Sequence, residues 1–195
     1  MAIYYISDLH LGHENAIKFD NRPFANIKEM HDIILDNWNS RVTGNDTVYI
    51  LGDMIWAKEH EWPFYLGPLA GNKVLIRGNH DPKEFSATTR KFFQDIKDYK
   101  EIKDEGRKVV LCHYPIPFFN FGFAKECYML YGHVHTTVEY EYLKEMRKTV
   151  MEHSTGHGTP SGNFINVGCM MPWMNYTPRT LDEIIERERE YRSVE

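Results

Sequence analysis

Hydrophobic positions along the chain fall into short runs, and each run ends in a polar segment rich in Asp, Asn, Gly and His. AIYYI (2 to 6) stops at SDLHLGHEN. DTVYILGD (46 to 53), KVLIRGNHD (73 to 81), KVVLCHYP (108 to 115) and ECYMLYGHVH (126 to 135) repeat the design, and NFINVG (163 to 168) is a further apolar run. Apolar, β-branched runs of about 4 to 8 residues bounded by turn residues predict buried strands. Helical spacing appears elsewhere: Asn26 and Glu29 form an N-cap pair, followed by Ile27, Met30, Ile33, Ile34 and Trp38, and this helix should end before Gly44. HEWPFYLGPLA (60 to 70) and PKEFSATTRKFFQDI (82 to 96) also read as helical. Residues 136 to 162 are polar and then Gly/Ser/Thr-rich, which predicts a long hairpin or mobile loop. Thr180 and Glu183 make a capping box opening a closing helix with Leu181, Ile184 and Ile185 on its apolar face.

Alternation of strands with helices predicts an α/β fold whose ligands gather beyond the carboxyl ends of the strands. With 195 residues the expectation is one domain, 1 to 195. No apolar run approaches the roughly 18 residues that span a bilayer. The opening MAIYYISD has no basic region or cleavage site, so the expected location is the cytoplasm. Cys112, Cys127 and Cys169 are too scattered for a disulfide framework or a CxxC site and should be reduced thiols. A net charge of −5 argues against a general nucleic-acid binder, and nucleic acid is a possible but not a favoured partner.

The polar strand ends bring together Asp8 and His10, Asp53, Asn79 and His80, His113, His133 and His135. Oxygen donors mixed with neutral imidazole, and no thiolate, suit Mn, Fe, Zn or Ni. The number of donors fits two divalent cations, which need a bridging carboxylate between them, and Asp53 is the candidate bridge. Any one of these residues alone reads more readily as a hydrogen-bonded core histidine or a turn aspartate than as a ligand. The set as a whole does not.

The ordered series DLH (8 to 10), GD (52 to 53), GNHD (78 to 81), H (113) and GHVH (132 to 135) resembles the calcineurin-like metallophosphoesterases, in a short bacterial or viral branch. The resemblance implies a four-layer α/β/β/α sandwich with mixed sheets. It also implies two divalent metals, Mn favoured, one held by Asp8, His10, Asp53 and His135 and the other by Asp53, Asn79, His113 and His133. His80 would then protonate the leaving group, oriented by Asp81, while a metal-bridging hydroxide attacks in line. Gly52, Gly78 and Gly132 precede ligand positions, where close backbone approach is needed. This chain reads GDMIWAK and GNHD where phosphoprotein phosphatases carry GDxVDRG and GNHE, so phosphoprotein is not the expected substrate.

The expected function is a phosphodiesterase acting on nucleotides or small phosphate esters. The alternatives are a DNA or RNA nuclease and a catalytically silent metal-binding scaffold. His13 and Asn15 are candidate substrate contacts, with a turn or cap role as the other reading. Arg77 is expected in an outward ion pair, His31 and His60 in structural roles, and His153 and His157 in a solvated loop. Trp56, Trp62, Trp173 and Tyr176 are expected to fill core or lid contacts, with stacking on a nucleobase as the alternative.

Overall fold

A computed structural model describes residues 1–154 and 158–194. The first four strands, β1 (Ile3–Ile6), β2 (Thr47–Ile50), β3 (Asn72–Ile76) and β4 (Phe93–Lys97), form a wholly parallel sheet in chain order. A second sheet takes β5 (Tyr99–Asp104), β6 (Arg107–Cys112), β7 (Cys127–Tyr131) and β8 (Phe164–Asn166). Its β5–β6 pair is antiparallel and the others are parallel. The helices are α1 (Glu14–Phe19), α2 (Ile27–Asn39), α3 (Trp62–Leu66), α4 (Ala87–Arg90), α5 (Val138–Glu152) and α6 (Leu181–Arg192). This is the α/β fold that the strand pattern predicts and the α/β/β/α sandwich that the resemblance implies, with one sheet parallel and the other mixed.

Side-chain alternation builds the layers. On the second sheet Val109, Leu111, Leu130 and Ile165 join the main core with Tyr5, Ile6, Ile50 and Leu75 of the first sheet. Val110, Met129, Tyr131 and Phe164 point the other way into a smaller cluster against Tyr140 and Leu143 of α5. A strand's period of two puts successive residues on opposite faces, so both sides of these runs are apolar. Tyr5 crosses between the sheets, its hydroxyl donating to Asp104 at 2.9 Å. The sheets also meet beyond β1, where Ser7 N donates to Val167 O at 2.9 Å and Cys169 N to Ser7 O at 2.8 Å. That junction brings the end of β1 beside the ends of β7 and β8.

The N-cap of α2 is Asn26, which accepts from Glu29 N, and Thr180 and Glu183 close the capping box of α6. Three expectations fail. Residues 82 to 96 hold one short helix, α4, and then β4: the Phe93–Lys97 run finds the open edge of β3, and ladder pairing outweighs the helical spacing. Residues 60 to 70 give only the five-residue α3 after a 3-10 turn. Residues 136 to 162 are neither hairpin nor loop over most of their length, because Val138–Glu152 is a 15-residue helix. Its good helix formers carry it, and Tyr140 and Leu143 supply the three-residue spacing that packs on the sheet. His157 lies outside the described residues.

Candidate metal centre

Every polar strand end points to the same side of the sheets. Asp8, His10 and His135 each place a ligand atom within 4.8 Å of one another, and so do Asp8, Asp53 and His113. The two groups share Asp8. Asp53 also lies between them, with Oδ2 3.9 Å from His10 Nε2 and 3.6 Å from His113 Nε2. Asn79 joins the second group through Oδ1, 3.1 Å from His113 Nε2. His135 Nε2 sits 3.5 Å from Asp8 Oδ1 and 3.3 Å from His10 Nε2. The ring of His133 is half-buried, 5.1 Å from His113 and 4.6 Å from Tyr114 between centroids, and its ring nitrogens fall outside both three-residue groups. Its backbone N–H donates to both oxygens of Asp8 at 3.2 Å.

The backbone is bent to make this possible. Asp8, His10, Asp53, His133 and His135 all have φ between 46° and 72°, a left-handed conformation that is uncommon for residues with a Cβ. Such strain concentrates where function requires it. Glycines provide the room: a Cβ on Gly78 would overlap the Asp53 carboxylate, and one on Gly132 would overlap Asp8 and Ser7.

Electrostatics shows what the cage accepts. Burial drives the His10 imidazole down to about 3, so it is neutral with a free lone pair at ordinary pH. Burial also pushes Asp53 up. For Asp8 burial acts upward, but the hydrogen bond from His135 and the neighbouring imidazoles outweigh it and hold the carboxyl low. Burial would lower His135 as well, yet hydrogen bonds to Asp20 and Asp8 lift it to about 10. Carboxylates that hold a proton on an imidazole this firmly present a field a cation answers equally well. His10 Nδ1 is buried without a partner. The neutral His10 imidazole, two buried carboxylates and an amide oxygen fit divalent metal ions, with the His135 proton the one a metal would displace.

Two partners escaped the sequence reading. Asp20 Oδ1 lies 2.6 Å from His135 Nδ1, and Arg22 ties Asp20 Oδ2 (2.8 Å) to the backbone oxygens of Asp8 and Leu9 (both 2.9 Å). Their signal was a short D-x-R downstream of the first strand, with no periodicity to mark it. Asp81 has partners other than those expected. Its carboxylate accepts from the backbone N–H of Asp53 (3.0 Å), Met54 (3.1 Å) and Gly78 (2.8 Å), not from the His80 ring. Burial, first of several causes, raises Asp81 to about 6. It therefore braces the two loops that carry Asp53 and Asn79.

His80 stands at the rim with its side chain 44% exposed and Nε2 3.9 Å from Asp53 Oδ2. His13 sits at the N-cap position of α1 without a side-chain capping bond and stacks on Trp56 at 4.2 Å, whereas Asn15 is exposed on α1. Arg77 pairs with both oxygens of Asp98 at 2.8 Å, as an outward ion pair should. His31 Nε2 accepts from Gly12 N at 2.8 Å, a structural contact, while His60 and His153 are exposed. Trp62, Trp173 and Tyr176 are buried in the core, and the cysteines are free thiols. Among the described residues no helix is long and apolar enough to cross a membrane.

Comparison with known proteins supports the same reading. An uncharacterized protein of Methanocaldococcus jannaschii is 34% identical over 188 residues, covering 94% of this chain and 89% of the relative. The gene 66 protein of Mycobacterium phage L5 is 39% identical over 82 residues, covering 40% and 39% of the two chains. A solved structure of a protein of unknown function from Aquifex aeolicus superposes with a TM-score of 0.65 at 26% identity, over 94% of this chain and 97% of that one. The model of the calcineurin-like phosphoesterase superfamily domain matches residues 1–181, and with the clustered Asp and His side chains it establishes that this chain belongs to that superfamily.

Proposed function

We propose that this protein is a dinuclear metal-dependent phosphodiesterase that hydrolyses nucleotides or small phosphate esters. The observation that carries the reading is the convergence of Asp8, His10, Asp53, Asn79, His113 and His135, with His80 left over at the rim. Asp8, His10, Asp53 and His135 would hold one ion, and Asp53, Asn79 and His113, with His133 turned inward, the other. When bound, such a pair polarises a phosphoryl oxygen and makes a water nucleophilic near neutral pH, with Mn the favoured metal.

The chain's own groups do the rest. Asp53 Oδ1 accepts from the backbone N–H of His80 at 3.0 Å and so holds at the rim the exposed ring that can reach the leaving oxygen. As the new bond from water oxygen to phosphorus forms, the ester P–O bond breaks and the leaving oxygen takes a proton from His80. Arg77, locked to Asp98, leaves no guanidinium for the extra charge of a monoester, which favours a diester. The cytoplasm is the proposed location.

Metal-stripped protein refilled with Mn should hydrolyse bis-p-nitrophenyl phosphate faster than p-nitrophenyl phosphate. A p-nitrophenolate departs without a proton, whereas the alkoxide of a dinucleotide needs one. His80→Ala should therefore slow a dinucleotide by about 10²–10⁴-fold and bis-p-nitrophenyl phosphate much less, with metal content unchanged. Equal losses on both substrates would remove His80 as the proton donor. Two bound metals without turnover of any ester would leave a metal-binding scaffold.

A further inference from the structure

Of the four tryptophans, Trp38, Trp62 and Trp173 are buried in the core, while Trp56 is 42% exposed. Trp56 follows the Asp53 loop. It is held there by its own N–H to Leu11 O at 2.7 Å and by the bridge between Leu11 and Ile55. One side of the indole lies parallel to His13, 4.2 Å between centroids at 10°, and the His80 ring stands 4.5 Å away, tilted by 54°. A core contact would not be left open in this way. What it opens onto is a shallow, solvent-open depression of about 510 Å³ lined by Ile55, Trp56, Ala57, Lys58, Asn79 and His80. Asn79 and His80 place that depression directly against the reacting position. Lys58 is exposed at its edge, where its backbone N–H donates to Glu61 Oε2 at 3.1 Å, and among the described residues its ammonium makes no ion pair.

Resting on the phosphodiesterase reading, we propose that this depression is the leaving-group subsite and that it takes a nucleotide. The heteroaromatic base packs against Trp56, the departing hydroxyl faces His80, and a second phosphate on the same nucleotide meets Lys58. His80 decides the side: the group that protonates the leaving oxygen must border the pocket in which the leaving group sits. Trp56 supplies a planar apolar surface already fixed by His13, and stacking of this kind accepts any base. Lys58 supplies a point charge suited to phosphate. The preferred substrate is thus a short 5′-phosphorylated nucleotide diester, whose released nucleotide carries both base and phosphate.

The test uses metal-loaded protein and two readouts. In calorimetric titrations, adenosine 5′-monophosphate should bind at least about tenfold more tightly than ribose 5-phosphate, and Trp56→Ala should abolish that preference while Trp56→Phe restores part of it. In turnover, the 5′-phosphorylated diadenylate should be preferred over its unphosphorylated form, and Lys58→Ala should erase the preference. Lys58 is exposed, so this variant tests the subsite without endangering the fold. Equal binding of the two monophosphates, or preferences unchanged by both substitutions, would overturn the subsite assignment. Turnover of bis-p-nitrophenyl phosphate separates the cases: if it persists, only the subsite falls, and if it is absent with metals bound, the phosphodiesterase reading falls.

Discussion

The carboxylate of Asp20 lies 2.6 Å from Nδ1 of His135, and that contact decides which nitrogen His135 turns toward the metal centre. Nε2 is left facing Asp8 and His10. A carboxylate behind a ligating histidine fixes its tautomer and raises its basicity, and losing one typically costs about 10–100-fold in metal affinity. Asp20→Ala should therefore weaken metal binding by about that factor, measured by competition with a chromophoric chelator. Unchanged affinity would mean that His135 is oriented by its loop alone.

Gly132 has no substitute. A Cβ there would overlap both Asp8 and Ser7, and Ser7 is anchored by its hydroxyl to Leu51 O at 2.6 Å. Gly132→Ala must displace Asp8, the carboxylate common to both ligand groups. The expected result is loss of bound metal as measured by elemental analysis, with far-ultraviolet circular dichroism retained. Full metal content in the variant would show that the loop can shift without cost.

Asp81 separates a bracing role from a catalytic one. Its two oxygens accept three backbone N–H groups in a buried position, and an amide in its place turns a donor toward donors. An unmet buried group costs about 1–3 kcal/mol, so Asp81→Asn should destabilise the metal-free protein by that amount in denaturant unfolding. If Asp81 acted only on His80, stability would not change.

Acid sensitivity has a source away from the candidate metal centre. Asp46 accepts from Ala2 N (2.7 Å), Thr43 N (2.9 Å) and Thr43 Oγ1 (2.7 Å). These bonds, that from Ala2 first, lower its carboxyl from 3.8 to about 2. The folded state thus binds this proton less readily than the unfolded chain. The stabilisation is present above about pH 4 and is lost as pH falls through about 2. Asp46→Asn should lower stability at pH 7 and flatten that part of the acid limb in thermal scans. An acid limb of unchanged steepness would contradict the assignment.

The ligand-bearing strand ends were legible because each joins a buried run to a polar Asp, Asn or His, and some of them add a preceding glycine, as in Gly52–Asp53 and Gly78–Asn79. Both signals come from the same local demand for close approach. β4 and β5 were not legible, since FQDIK and YKEIKD alternate charge with few apolar residues and owe their conformation to neighbouring strands. α5 was hidden for the opposite reason: no residue of it is buried, so composition resembled a loop. Asp20 and Arg22 act through contacts with residues distant in sequence, and the GNHD motif marked Asp81 but not the backbone amides it accepts from. No spacing rule marks such partners. Which of the four tryptophans stays exposed, Trp56, is a property of packing alone.

The most direct measurement is the metal content of purified protein refilled with Mn, read alongside diester hydrolysis across a chelator titration. Two Mn per chain, with turnover of bis-p-nitrophenyl phosphate that disappears on chelation and returns on refilling, is the predicted result. One metal or none at full turnover, or turnover indifferent to chelator, would contradict the dinuclear account.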